Sequence, residues 1–251
     1  MKISIVTAAF NSEATIAQAI DSVIAQHYPD IEHLIIDGAS SDGTMAIVNS
    51  RAHVKMLVVS EPDQGIYDAL NKGCALATGE VIGLLHSDDF LAHPQVLEKL
   101  AQAFSDPDID VVYGDLDYVA AADPARVVRH WCGGEFRPAM LEWGWMPPHP
   151  TLFVRRAVLD RLGMYDTSYR IAADYEAILR WFGKGAVRSR YIPEVLVKMR
   201  LGGASNRSLS GILRKSREDY RALRSNKMGG LATLTAKNLR KIPQFFVRQE
   251  E

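Results

Sequence analysis

Residues 81–89 read VIGLLHSDD, and the fold follows from how this stretch is read. Val81 to Leu85 is an apolar run too short for a core helix. It ends abruptly in His86, Ser87 and two adjacent acids, Asp88 and Asp89. A short apolar run closed by polar residues reads as a buried strand. Two carboxylates beside a core repel each other, and burial makes each costly unless something positive balances it. The stretch therefore predicts a strand whose carboxyl end meets a cationic partner.

Upstream, the same unit recurs. Ile3-Ser4-Ile5-Val6 is a short β-branched strand, and Ile16, Ala19, Ile20, Val23 and Ile24 then fall on one helical face, with Asn11 or Ser12 as a cap. His33 to Ile36 is a second strand, closed by Asp37-Gly38-Ala39-Ser40-Ser41-Asp42-Gly43-Thr44, where Asp42 caps a helix beginning near Thr44. Val54 to Val59 is a third strand. Ile66 to Ala77 is a helix with Ile66, Ala69, Leu70 and Gly73 on one face, and Pro94 to Phe104 is another with proline at its start. Strand and helix in this alternation predict an α/β fold, mostly parallel in its first half, with helices on both faces.

Past Ile109 the rhythm changes. Asp110 to Tyr113, Leu116 to Val119 and Val127 to Trp131 are short strand candidates, and Gly133 to Pro150 is a shaped loop rich in Gly, Pro and Trp. Asp174 to Phe182 reads as a helix, as do Ser208 to Ser225 and Leu231 to Phe246. The expected organisation is a main domain over 1–206, made of a first half over 1–119 and a second half over 120–206. A basic helical extension covers 207–251. That extension carries Arg214, Lys215, Arg217, Arg221, Arg224, Lys237 and Arg240 among apolar residues. It suits either a solvated helical face or peripheral contact with an anionic membrane surface.

The chain has 251 residues, formal net charge -1, 47% hydrophobic and 24% charged residues, ordinary values for a globular protein. A near-neutral balance gives no pull toward nucleic acid. The two cysteines, Cys74 and Cys132, show no CxxC spacing and read as reduced thiols. With no secretory signal pattern and no run of about 20 apolar residues, the expectation is a cytoplasmic protein, with any membrane contact peripheral at the inner face.

Open parallel sheets bind ligands at the carboxyl ends of their strands. Asp37, Asp63, Asp88 with Asp89, and Asp115 with Asp117 follow successive strands and so gather at one edge. A single such acid is usually a cap or turn residue, but several at one edge suit a hard divalent cation. Mg²⁺ takes one or two carboxylates and keeps its remaining positions for water and phosphate oxygens. No His/Cys set has zinc spacing. Neither GxxxxGK[ST] nor GxGxxG is present, and Thr7-Ala8-Ala9-Phe10-Asn11 stands where the latter would be. Trp131, Trp143 and Trp145 offer aromatic faces for an acceptor groove as well as ordinary core packing.

Taken in order, Ser4 to Asn11, Ile35 to Thr44, Ser60 to Gly73, Ala77 to Glu80 and His86 to Asp89 resemble the family 2 inverting glycosyltransferases of GT-A fold. The run Asp63 to Gly73 resembles the branch that builds bacterial exopolysaccharide and lipopolysaccharide. The second half matches more loosely, through His149-Pro150-Thr151, Ala173 to Glu176 and Gly202 to Ser205. The resemblance implies a GT-A, Rossmann-like mixed sheet flanked by helices, with C-terminal helices beyond it. It also implies transfer of a sugar from a UDP- or GDP-linked donor to a glycan or lipid-linked acceptor.

Residue by residue, the resemblance gives Thr7, Ala8, Phe10, Asn11, Asp37 and Lys72 to the nucleotide, and Asp88 to the ribose or sugar. It gives Asp89 to Mn²⁺ or Mg²⁺. Asp174 becomes the base, with Glu176 as second choice, and His149, Arg200 and Ser205 form a donor/acceptor loop. His86 departs from the motif, which often carries an acid or Asn there. The non-enzymatic alternative is a sugar-nucleotide-binding or scaffold module of a polysaccharide assembly complex.

Overall fold

The computed structural model describes residues 1–202 and 209–240. The chain runs β1 (Ile3–Ala9), α1 (Ile16–Ile24), β2 (Ile31–Asp37), α2 (Thr44–Ser50), β3 (Met56–Ser60), α3 (Ile66–Leu76) and β4 (Val81–Leu84). Next come β5 (Phe90–Leu91), α4 (Val96–Ala103), β6 (Val111–Val119) and β7 (Val127–Trp131). Two short 3-10 helices, Pro138–Trp143 and His149–Thr151, lead to β8 (Phe153–Arg155), α5 (Arg156–Leu162) and α6 (Ala173–Ile178). A π-helical turn, Leu179–Lys184, extends α6, and β9 (Ser189–Arg200), α7 (Leu209–Asn226) and α8 (Leu231–Leu239) follow.

One mixed sheet has the order β3-β2-β1-β4-β8-β6-β9-β5, with β7 paired to β6. The β3, β2, β1 and β4 pairings are parallel, as the alternation predicts. β8 is antiparallel to both β4 and β6, while β6 and β9 run parallel. This is the α/β, GT-A type mixed sheet with flanking and C-terminal helices that the sequence implied.

All seven residues of β1 are buried, because helices cover both faces of the strand. Alternation sends Ile3 and Ile5 to a core with Val23, Leu97, Leu100 and Phe104. Val6 and Ala8 go to the opposite core with Leu70, Tyr175, Trp181 and Leu223. On α1 the buried residues are Ile16, Ala19, Ile20 and Val23, the spacing of one helical stripe. Asp42 accepts the Thr44 amide at 3.0 Å at the start of α2, but the cap position itself is Gly43 rather than the expected Asp42.

Gly83 is required by packing. It lies opposite Phe153 across the β4–β8 pairing, and a Cβ there would meet the Phe153 ring at 2.2 Å. The missing side chain lets a phenyl ring close the seam where the parallel half of the sheet meets the antiparallel half.

The second half differs from the sequence reading in several places. The two short strands expected at 110–119 are one strand, β6, whose register against β9 slips between Gly114 and Leu116. Opposite that slip Pro193 and Glu194 are extra, and a proline inside a strand hides it from a pattern search. β8, at three residues, is too short for periodicity to reveal. The helix expected over 174–182 becomes α6 plus the π-helical turn. Cys74 and Cys132 are free thiols.

Candidate active site

A cleft of about 1290 Å³ opens where the carboxyl ends of β1, β3 and β4 face α6 and the C-terminal helices. Ala8 to Ser12 form its floor after β1, Asp63 and Gly65 enter after β3, and His86 to Asp88 enter after β4. His149, Asp174 and Arg200 also line it, as do Lys215 and Lys237.

On the nucleotide side, Ala8, Phe10 and Asn11 line the cleft, with the Phe10 ring 64% exposed. Asn11 takes a left-handed φ of 47°, a conformation asparagine tolerates. There its Oδ1 accepts the Ser41 amide at 3.0 Å, and its own amide donates to Ser40 Oγ at 2.8 Å. Thr7 is fully buried and turns away, with its Oγ1 3.0 Å from His33 Nε2. Burial pushes His33 down to about 3, which keeps that imidazole neutral.

Two other expected nucleotide ligands are spent elsewhere. Asp37 is fully buried and accepts from the Ser40 hydroxyl at 2.5 Å and the Ser60 hydroxyl at 2.6 Å. It organises the loop after β2 rather than lining the cleft. Lys72 pairs with Glu61 at 2.9 Å and Asp68 at 3.4 Å on the outer side of α3, outside the cleft wall.

The adjacent acids stand in exchanged places. Asp88 lines the cleft, and its carboxylate takes part in no hydrogen bond or ion pair among the described residues. Asp89, expected to face the cation, is 1% exposed and points into the protein. Its Oδ1 accepts the Arg200 amide at 3.3 Å, while Oδ2 has no partner. Burial, helped by the neighbouring Asp88 charge, holds the Asp89 carboxyl well above the usual range. The turn at Ser87 and Asp88 carries Asp88 into the cleft and leaves Asp89 inside the protein.

Among the described residues no group of three or more His, Cys, Asp or Glu could hold a metal by itself. One inward-facing carboxylate without a partner still fits a Mg²⁺ or Mn²⁺ ion that draws most of its ligands from a diphosphate and water.

Asp174 is half-buried at the first turn of α6 and lines the cleft. Its Oδ2 lies 3.3 Å from His149 Nδ1, and its Oδ1 accepts from the Tyr67 hydroxyl at 3.3 Å. Burial pushes this carboxyl up, but His149, Lys215 and Lys237 outweigh it and hold it below its usual value. Burial drives His149 down to about 4 and also lowers His86, whose ring centroid is 6.3 Å away. The wall therefore presents an ionised carboxylate beside neutral imidazoles.

Glu176 is buried away from the cleft and paired with Arg180 at 2.8 Å. Arg200 lines the cleft, stacks over Phe90 at 5.5 Å and donates to Gln18. Ser205 lies outside the described residues. Of the tryptophans, Trp131 lines the cleft, Trp145 is core with its indole N–H on the Gly133 carbonyl at 3.0 Å, and Trp143 is 64% exposed.

Sequence reasoning missed Tyr67, and it placed Lys215 and Lys237 on an outer basic face. Tyr67 sits one residue after a helix start, where an aromatic reads as packing. Lys237 carried a signal: it is one turn from the buried Thr233, on the inner side of α8.

The sheet thus carries a cleft at its carboxyl edge, lined by Asp88, which has no partner among the described residues, and by the ionised Asp174. Residues 4–163 match the model of "Glycosyl transferase family 2", and the chain belongs to that family. The chain is similar to a PGL/p-HBAD biosynthesis glycosyltransferase of Mycobacterium bovis, at 31% identity over 81% of this chain and 78% of the relative. An uncharacterized glycosyltransferase of Mycobacterium tuberculosis is 33% identical over 71% of this chain and 68% of its own length.

Solved structures with the same fold include S. aureus TarS 1-349 in complex with UDP-GlcNAc, with TM-score 0.67 and 18% identity, covering 90% of this chain and 65% of that one. Against the longer TarS structure the chain spans 39% of the other protein. The mannosyltransferase PcManGT of Pyrobaculum calidifontis, in complex with GDP-Man and Mn²⁺, gives TM-score 0.67 at 20% identity, covering 98% of this chain and 73% of that one. The protein is thus a glycosyltransferase of family 2. Among the described residues no helix is long and apolar enough to cross a membrane.

Proposed function

We propose that this glycosyltransferase transfers a sugar, with inversion, from a UDP- or GDP-linked donor to a hydroxyl of a glycan or lipid-linked acceptor in cell-surface glycoconjugate synthesis. The observation that carries this reading is that Asp88 and Asp174 line one cleft. The names of the curated relatives favour a glycolipid acceptor over an exopolysaccharide or lipopolysaccharide one.

Ala8, Phe10 and Asn11 receive the nucleotide on the floor after β1. Asp88 holds Mn²⁺ or Mg²⁺, with the buried Asp89 bracing the turn behind it. When bound, the cation offsets the negative charge that develops on the departing diphosphate. Inversion requires one in-line attack and one base. Asp174 serves as that base: it is ionised at neutral pH, it accepts the proton of the acceptor hydroxyl, and Tyr67 and His149 fix its orientation. His149 and Arg200 shape the mouth where donor and acceptor meet. Exposed Leu213, Arg214, Arg217 and Arg224 on α7 suit peripheral contact with the inner membrane face, where a lipid-linked acceptor would be found.

Purified protein is incubated with a panel of UDP- and GDP-sugars and Mn²⁺, and release of nucleoside diphosphate is measured. Release suppressed by EDTA is expected. Release that EDTA leaves unchanged removes the cation from the reading. Donor binding without turnover against a matching acceptor extract favours the scaffold alternative.

A further inference from the structure

The C-terminal helices lie beyond residues 4–163, the part that matches the family model. Their lysines are nevertheless part of the cleft wall. Lys237 on α8 is 3% exposed, with its ammonium 2.8 Å from Asp219 Oδ1 and 3.1 Å from the centre of the Tyr175 ring. Tyr175 follows Asp174 directly in the chain. Lys215, one turn before Asp219 on α7, places its ammonium 3.1 Å from Asp219 Oδ2. A single carboxylate, 1% exposed, therefore clasps one lysine from each helix.

Burying an ion pair rarely adds stability, because desolvation consumes most of the attraction. A clasp between two helices needs one lysine for one aspartate. The second lysine leaves this group with a surplus positive charge, and both lysines are among the residues of the cleft that Asp174 lines.

We infer that Lys215 and Lys237, joined through Asp219, are positioning residues for Asp174, so that α7 and α8 lend the active-site acid a fixed positive wall. The inference rests on the reading of Asp174 as the base. A carboxylate in a desolvated wall tends to hold its proton, and a base that already carries one accepts no other. Tyr67, Tyr165 and Tyr118 are pushed upward by burial and stay neutral. His86 and His149 are pushed downward by burial, His149 to about 4, and His149, 3.3 Å away, is the first cation that lowers Asp174. Once His149 has lost its proton, the two lysines remain as cations that act on Asp174. Burial brings Lys237 itself down to about 7, so the wall weakens above neutrality, when Asp174 is already ionised.

The test is an NMR titration of intact protein labelled at the aspartate carboxyl carbons. The Asp174 signal is assigned by its loss in Asp174→Asn. Its midpoint is expected below the ordinary carboxylate range in the native chain, higher in Lys215→Met, and restored in Lys215→Arg. Lys215 is only half-buried, so these variants test the idea even if Lys237→Met fails to fold. The acid limb of kcat/KM for nucleoside-diphosphate release is expected to move to higher pH in Lys215→Met. An unmoved Asp174 midpoint in Lys215→Met overturns the inference. Asp174→Asn with undiminished transfer instead overturns the base reading, and the two failures are read separately.

Discussion

In the parallel half of the sheet, Asp37, Asp42 and Asp63 spend their oxygens on backbone amides and hydroxyls of their own loops. In the other half, Asp117 faces His130 at 2.7 Å, Asp174 faces His149 at 3.3 Å, and Asp219 faces two lysines. The first half uses carboxylates to fix backbone, and leaves Asp88 at the cleft with no partner among the described residues. The second half balances carboxylates against cations and imidazoles, and so sets which groups carry protons. Donor binding should therefore depend on loop geometry and one acid, and the chemical step on a coupled charge network.

The widest break would come from Asp174→Asn. Transfer is expected to fall by about 10²- to 10⁴-fold, the usual contribution of a positioned base. Donor affinity by calorimetry should stay close to native. Loss of donor binding would show that the two halves do not divide the work.

Gly83→Val tests the seam between them. With Phe153 already where a Cβ would stand, overpacking is expected to cost roughly 1–3 kcal/mol, measured as a lower denaturant midpoint. Native stability in that variant would mean that the halves are not locked through this ring.

Asp88→Ala should remove the Mn²⁺-dependent part of donor affinity, read with and without EDTA. Asp89→Asn should keep most of it, because Asp89 points into the protein, where burial raises its carboxyl above the usual range. The reverse result would return the cation to Asp89.

The smallest effect concerns His130, which Asp115 and Asp117 raise from 6.5 to about 10. Its protonated form is favoured by folding, so its contribution is complete below pH 6.5 and fades as pH climbs to about 10. Urea unfolding should show a gap between native protein and His130→Asn at pH 6 that narrows by pH 10. A gap that widens would remove the ion pairing from this network.

The parallel half was legible because its helices bury one stripe each and its strands are apolar runs closed by turn residues. Ile16 to Ile24 and Val81 to Leu85 state their structure almost unaided. The second half hid for physical reasons. β8 is three residues long, β9 contains Pro193, and β6 bends through a register slip. At the site, the sequence brought Asn11, Asp88, His149 and Asp174 to attention, and all four line one cleft. It could not tell which of Asp88 and Asp89 faces inward, since that depends on the turn after β4. Nor could it separate Lys215 and Lys237 from the exposed arginines around them, because a basic helix reads the same whether a lysine meets water or a buried aspartate.

β8 has a consequence for the order in which the molecule can be made. It fills the gap between β4 and β6, though about seventy residues separate it in sequence from β4. Until Phe153 to Arg155 leave the ribosome, β4 presents an open edge of unpaired amides and carbonyls, and Gly83 presents a hollow with no ring in it. Long-range pairings of this kind form slowly, and a bare edge invites pairing with another chain. A nascent chain stalled before residue 153 is thus a natural client for a chaperone, and the seam at β8 is also a step at which this sheet can go wrong.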